Sequence, residues 1–331
     1  MSDASAVVPL SVLDLAFVAE GETVQDSLAG CVRMAQRAEQ LGYRRVWYAE
    51  HHNTESIASS APAVLIAHVA AHTKHIRLGA GGVMLPNHAP LVVAEQFGTL
   101  ASIHPNRIDL GLGRAPGTDQ NTLRALRRSA AAAESFPQDV LEVQGFLGGT
   151  TRIPHVHAVP GRGTTVPLYI LGSSLFGAQL AARLGLPYAF ASHFAPQQLV
   201  EAVATYRAQF EPSKQLDRPH VIAGINVIAT DTQAAAEEQM RWRRRAFARA
   251  LFGRPGHRPN DSEVDVMLAS PQARVLDQML IHTAMGPPAA VKAAIDQFTT
   301  YANADELMVV HQAATLDARL RSLELLAQAH F

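Results

Sequence analysis

Two adjacent histidines stand between carboxylates in YAEHHNTE (residues 48–55), directly after the apolar and aromatic run that ends in VWY. Imidazoles change charge near neutral pH and serve as bases, hydrogen-bond donors or metal ligands. Neighbours on a regular strand point to opposite faces, which disfavours a metal shared by His51 and His52, and no HExxH pattern accompanies them. A second trio, His68, His72 and His75 in AHVAAHTKH, aligns at helical spacing without an acidic or cysteine partner nearby. It reads as a partly exposed helix face. Glu50, His51 and His52 instead close an apolar strand, where a histidine can be a neutral base or donor; a structural histidine at a strand end is the competing reading.

Three further spots carry potential chemistry. GAGGVMLPNHAP places Gly79, Gly81 and Gly82 at the end of another apolar run. The missing side chains admit a flat ligand or a neighbouring backbone, and close packing of the sheet explains them equally. RIDLGLGRAPG puts Arg114 just beyond a strand; GLGRAPGT lacks the glycine that a dinucleotide fingerprint needs at its sixth place. A guanidinium there suits a phosphate, against the plain alternative of an exposed strand-end arginine. Gly172, Ser173 and Ser174 in YILGSSLFGAQLAARLG fall where a strand hands over to a helix, so free N–H groups, the helix dipole and two hydroxyls converge. An ordinary serine cap would need no ligand. Taken with Arg114, a phosphate site built by neighbouring strands is the favoured reading. His193 in ASHF, at another strand end, is expected to face the same cavity.

The elements that must position these residues alternate along the chain. Short apolar runs at 9–17, 44–51, 76–85, 107–113, 167–174, 188–194, 220–230 and 306–312 are separated by stretches of helical period such as SLAGCVRMAQRAEQLG. Nearly continuous apolar strands suit a parallel sheet covered on both faces. The pattern predicts an α/β fold, a (β/α)₈ TIM barrel forming one domain over residues 1–331, with a doubly wound open sheet as the alternative. A barrel of this kind takes about 250 residues. The surplus is assigned to insertions after strands 4 and 7, approximately 114–166 and 231–285. Residues 150–166 read as a loop, and RWRRRAFARALFGRPGHRPNDSE (241–263) as a basic helix with a loop. That helix could close over an anionic cofactor or substrate, although a solvated charged face is the favoured reading. MGPPAAVKAAIDQF (285–298) starts a helix at its prolines.

Composition narrows the partners. Hydrophobic residues make up 48% and charged ones 17%, enough for a large core, while 28 basic against 29 acidic residues give no field for nucleic acid or an anionic membrane. The single Cys31 excludes an internal disulfide and a thiolate metal cluster within one chain, which fits a reducing, cytoplasmic setting. No apolar run approaches the roughly 20 residues of a membrane span.

VWYAEHHN, LGAGGVMLPNHAPLVVAEQFGTL, RIDLGLGRAPG, YILGSSLFGAQLAARLGLP and the closing DARLRSLELL, in this order over nearly the whole chain, resemble the bacterial luciferase-like flavin monooxygenases. They are most similar to the single-gene subgroup. The resemblance implies a (β/α)₈ barrel that binds reduced FMN (FMNH2), supplied by a separate flavin reductase, and often a homodimer. It implies a non-prolyl cis peptide after the third strand, at Gly81–Gly82, and a flavin phosphate held by Arg114, Gly172, Ser173 and Ser174. It also implies that His51 is catalytic in oxygenating a small organic substrate with O2 through a flavin C4a-hydroperoxide; Glu50, His52 and His193 are expected to line the substrate pocket or hold the strand end. Gly113 stands where the light-emitting subunit has a reactive cysteine and Gly172 where it has an acidic residue, which argues against light emission. Alternatives are hydride transfer to a deazaflavin, flavin binding without turnover, and a metal-dependent hydrolase using His51 and His52.

Overall fold

The computed structural model describes residues 7–115, 117–253 and 259–331. Its elements run β1 (Leu10–Asp14), α1 (Val24–Gln40), β2 (Arg45–Tyr48), α2 (Pro62–Ala71), β3 (Arg77–Met84), α3 (Pro90–Ile103), β4 (Ile108–Gly113), α4 (Gln120–Ala125), α5 (Phe136–Gly148), β5 (Leu168–Gly172) and α6 (Leu175–Leu184). They continue with β6 (Tyr188–Phe190), α7 (Leu199–Ala208), β7 (Val221–Ala229), α8 (Gln233–Phe252), α9 (Asp261–Ala269), α10 (Arg274–Met279), β8 (Thr283–Gly286), α11 (Pro288–Ala302), β9 (Glu306–His311) and α12 (Leu316–His330).

Eight of these strands close a parallel barrel. The ladder runs β6-β5-β4-β3-β2-β1-β9-β7, and a β6–β7 pairing completes the ring. The fold is therefore the predicted (β/α)₈ barrel, and the open sheet is set aside because such a sheet leaves two unpaired edges. β8 stands outside the ring and pairs only with the C-terminal half of β7, Asn226 opposite Thr283 through Ala229 opposite Gly286. Sequence reading merged this TAMG strand into the start of the following helix, because four residues hardly show a period.

Two apolar layers follow from the alternation of strand side chains. Outward residues such as Val46, Leu78, Leu110, Ile170 and Val309 join the helices in the main core, whereas Leu13, Trp47, Ala49, Tyr169, Ala189, Ile222, Met308 and Val310 fill the barrel. Local signals start the helices where the sequence suggests: a Thr23–Asp26 capping box opens α1, and Pro62 and Pro90 stand in the first turns of α2 and α3. α2 ends at Ala71, so His75 is not on its face; its backbone N–H instead donates to Glu39 at 2.5 Å.

Within the segment 114–166, α5 packs on α3 as part of the outer helix layer. Between β7 and α11 lie α8, α9, α10 and β8; Ala248, Val264 and Leu276 form a small core of their own there. Residues 254–258 of the basic stretch lie outside the described residues. Among the described residues, no helix is long and apolar enough to cross a membrane.

Candidate active site

A buried carboxylate organises the C-terminal mouth of the barrel. Glu50 has no exposed surface; its Oε1 lies 2.9 Å from His52 Nε2 and 2.8 Å from His88 Nε2, and its Oε2 accepts the Met84 N–H at 3.0 Å. Burial alone pushes this carboxyl up, but the bonds from His88, His52 and Met84 outweigh it and hold Glu50 below the usual range. The carboxylate thus ties the end of β2 to the end of β3. Glu50 offers no surface to a substrate, and His52 is engaged in bracing it. His88, in the quoted PNHAP, is a member of this cluster that sequence reasoning passed over.

His51 follows β2 at the mouth. Its N–H donates to Ser59 O at 3.0 Å, Ala58 N–H donates to Ala16 O at 2.9 Å, and Phe17 bridges Ile57, which laces the loops after β1 and β2 together. The ring is partly buried, and among the described residues neither nitrogen takes a hydrogen bond. Burial lowers its pKa below the ordinary 6.5, Glu50 pulls it back up, and His52 pushes it down again. His51 is therefore neutral at pH 7 with its nitrogens unengaged. Its neighbour is committed elsewhere, and among the described residues no group of three His, Cys, Asp or Glu side chains is placed to hold a metal.

His193 lies three residues beyond β6 and packs against Gly224 of β7, where any Cβ would collide with His193 Nδ1. Its carbonyl accepts from Asn226 Nδ2 at 2.6 Å, and Asn226 Oδ1 accepts from Gln312 Nε2 at 2.7 Å. Burial, then the charges of Arg243 and His51, push the His193 ring down to about 4. His193 Nδ1 and Gln312 Oε1 are enclosed without a partner. Asn226 and Gln312 were not singled out from sequence, although strand parity places both on the inner face.

Arg114 and the β5 turn, far apart in sequence, meet. The Arg114 guanidinium stands 4.2 Å from the centre of the Phe176 ring, in the first turn of α6. Ser174 is the N-cap of that helix, yet no side chain caps it; the hydroxyls of Ser173 and Ser174 take no hydrogen bond among the described residues, and the Ser174 carbonyl accepts from Tyr188 OH at 2.9 Å. A Cβ on Gly172 would meet Gly177 and Tyr188 at ordinary contact distances of 3.7 Å or more. A helix N-terminus, two hydroxyls and a cation without an ion pair among the described residues thus lie together, the kind of surroundings that favour an anion.

The glycines of β3 have a packing role that is visible directly. Cβ atoms would stand 2.7 Å from Asp109 at Gly79, 3.0 Å from Leu13 and Trp47 at Gly81, and 2.9 Å from Gly111 O at Gly82. The Gly81–Gly82 peptide is cis, and it lies inside β3 where the register with β4 shifts, rather than after the strand.

Arg243 of α8 completes the mouth and was seen in sequence only as part of a basic run. It is 7% exposed, stacked 3.7 Å from the Phe247 ring centre and 5.2 Å from that of Phe17. Burial alone pushes its pKa down to about 9. Desolvating a guanidinium costs several kcal/mol, and a desolvated ring contact returns about 2 kcal/mol. Two rings thus fall short of, or barely match, that cost.

A family model described as luciferase-like monooxygenase matches residues 8–305. The chain is 45% identical over 320 residues to a luciferase-like monooxygenase of Escherichia coli (strain K12), covering 96% of each chain. It is 36% identical over 241 residues to an N-acetyl-S-alkylcysteine monooxygenase of Bacillus subtilis (strain 168), covering 71% of each. Among solved structures, apo-MsnO8 superposes with a TM-score of 0.87 at 35% identity, covering 97% of this chain and 98% of that one.

Proposed function

The chain belongs to the luciferase-like monooxygenase family of flavin-dependent oxidoreductases, and on that premise we propose that it is a reduced-FMN-dependent monooxygenase that uses O2 to oxygenate a small organic substrate. The observation that carries the cofactor assignment is the convergence of Arg114 on the uncapped start of α6. In this reading Arg114, Ser173, Ser174 and the Gly172 backbone hold the flavin phosphate, and the Gly81–Gly82 segment borders the ring. Bound and reduced, FMN supplies the electrons that activate O2, by the route the resemblance implies.

The chain's own residues then do three things. Glu50, through His52, His88 and the Met84 N–H, fixes the strand end from which His51 projects. His51, neutral and unengaged, accepts or donates a proton at a ring nitrogen facing the mouth, and His193 lines the same space. Below them Trp47, Tyr169, Ile222 and Met308 pack the barrel solid and exclude water from that side. A separate flavin reductase, a cytoplasmic setting and a homodimer belong to the same reading.

The test is rapid mixing. Protein loaded anaerobically with reduced FMN and then exposed to oxygen should reoxidise the flavin more slowly than free solution does, with an absorbing species distinct from oxidised FMN. Arg114→Met should weaken FMN binding about tenfold or more, the loss of a charge-assisted contact. Reoxidation at the free rate, or tighter binding of a deazaflavin than of FMN by fluorescence quenching, would overturn the proposal; inertness with tight binding would favour a flavin-binding protein instead.

A further inference from the structure

The basic run RWRRRAF of α8 divides into two faces. Arg244 pairs with Asp277 at 2.9 Å, Arg245 with Asp261 at 3.1 Å and with Asp265, and Arg249 with Asp261. Arg243 turns inward instead. Its guanidinium lies against the rings of Phe247 and Phe17, and among the described residues it makes no ion pair and no hydrogen bond. Only Nε is fully enclosed without an acceptor, so the two Nη atoms keep an opening. Arg319 of α12 approaches Phe17 from another element, 6.0 Å from the ring, but it lines the same small void as the Asp14 carboxylate. Among the described residues, no carboxylate bears on Arg243. Phe17 follows β1 and α8 follows β7, across the ring of strands from Arg114 and α6, which follow β4 and β5.

We propose that Arg243 is the anchor for a carboxylate group carried by the substrate, bound at the β1–β7 side of the barrel mouth. The proposal rests on the flavin reading of the site given above. The two rings hold the guanidinium in place while its Nη atoms keep an opening, and a carboxylate can meet a guanidinium there with two parallel N–H bonds. A buried cation lacking an internal counter-charge favours an anionic ligand over its neutral twin, because only the anion compensates the charge. Placement across the mouth from Arg114 keeps the substrate's anion apart from the flavin phosphate, and it brings the substrate's uncharged part between His51 and His193.

The test uses the full chain loaded with oxidised FMN and titrated calorimetrically, at constant ionic strength, with straight-chain carboxylates from acetate to octanoate and with the matching primary amides. At least one carboxylate should bind at least tenfold more tightly than its amide, with inorganic phosphate competing no better than chloride. Arg243→Met should abolish that preference while leaving FMN affinity unchanged and thermal stability equal or higher; Arg243→Lys should retain part of it. Equal binding of carboxylates and amides, no saturable carboxylate binding, or a preference that survives in Arg243→Met would overturn the proposal. Failure to bind FMN at all would instead sink the flavin reading. A lower melting temperature for Arg243→Met with wild-type FMN affinity and no carboxylate preference in the wild type would mark Arg243 as structural.

Discussion

The floor of the barrel is built from strand residues and its mouth from the segments that follow the strands, and the two ends treat their polar groups oppositely. At the N-terminal floor, Arg45 is 1% exposed and donates to Asp109 at 2.7 Å and Tyr169 OH at 2.6 Å, with Glu306 2.9 Å from its Nε. Asp109 also accepts from Trp47 Nε1 at 3.1 Å and from Arg77, and Glu306 from Ser11. Charges there face charges. At the C-terminal mouth, the His51 ring, the Arg114 and Arg243 guanidiniums, His193 Nδ1 and Gln312 Oε1 are left without a hydrogen-bond or ionic partner among the described residues. The floor is sealed and internally paired, whereas the mouth is more open and keeps polar groups unpaired, the division expected of a barrel whose stabilising end is the floor.

The largest effect should come from breaking the floor. Asp109→Ala leaves Arg45 with an uncompensated side and Trp47 Nε1 without its acceptor, and removing one partner of a buried ionic cluster costs about 3–5 kcal/mol. Urea unfolding of the variant would measure it. A loss below about 1 kcal/mol would mean the floor is as dispensable as a surface ion pair and would erase the contrast between the two ends.

At the mouth the expected signature is the reverse: activity lost with stability kept. His51→Gln should lower product formation by roughly 100-fold, equivalent to about 2.7 kcal/mol in the barrier, with an unchanged urea midpoint. Because burial lowers the His51 pKa, the neutral base should persist below pH 6.5, so the acid limb of kcat/KM should lie beneath that value and disappear in the variant. An acid limb that survives His51→Gln would assign it to another group.

The barrel and the positions of its strand ends are legible in the sequence. The strand ends carrying His51, Arg114 and Ser174 are marked by local grammar, an apolar run followed by polar or glycine residues, and the β/α count alone puts those ends on one edge. What stayed hidden depends on distance in sequence. Arg243 looked like one charge in a solvated run, since nothing local distinguishes it from Arg244 or Arg245; only packing on Phe17, more than two hundred residues away, turns it inward. Asn226 sits inside the otherwise apolar β7 and Gln312 just beyond β9, and which face of each points inward is set by barrel closure. The β3 glycines were ambiguous for a related reason: the atoms filling the space beside them belong to other strands.

The smallest expected effect tests whether an unpartnered mouth histidine behaves like one sealed in the core. His193 at the mouth is pushed down to about 4, and His311, 4% exposed beneath α12 with Nδ1 2.8 Å from Ser322 Oγ, down to about 3, both chiefly by burial. A folded pKa below the unfolded value of about 6.5 means that the unfolded chain binds more protons as pH falls. The stability each histidine withholds from acid is therefore fully present above pH 6.5 and is lost on the way down to its folded pKa, at most about 1.4 kcal/mol per pH unit per histidine. Glu50, held low, adds its own loss only further down, below about pH 4.3. His193→Gln should flatten the slope of unfolding free energy between pH 6.5 and 5 by up to one histidine's share, leaving the His311 share in place. If the slope is unchanged in His193→Gln but flattened in His311→Gln, the mouth histidine titrates as freely as in solvent, and the mouth is wetter than the packing of His193 against Gly224 implies.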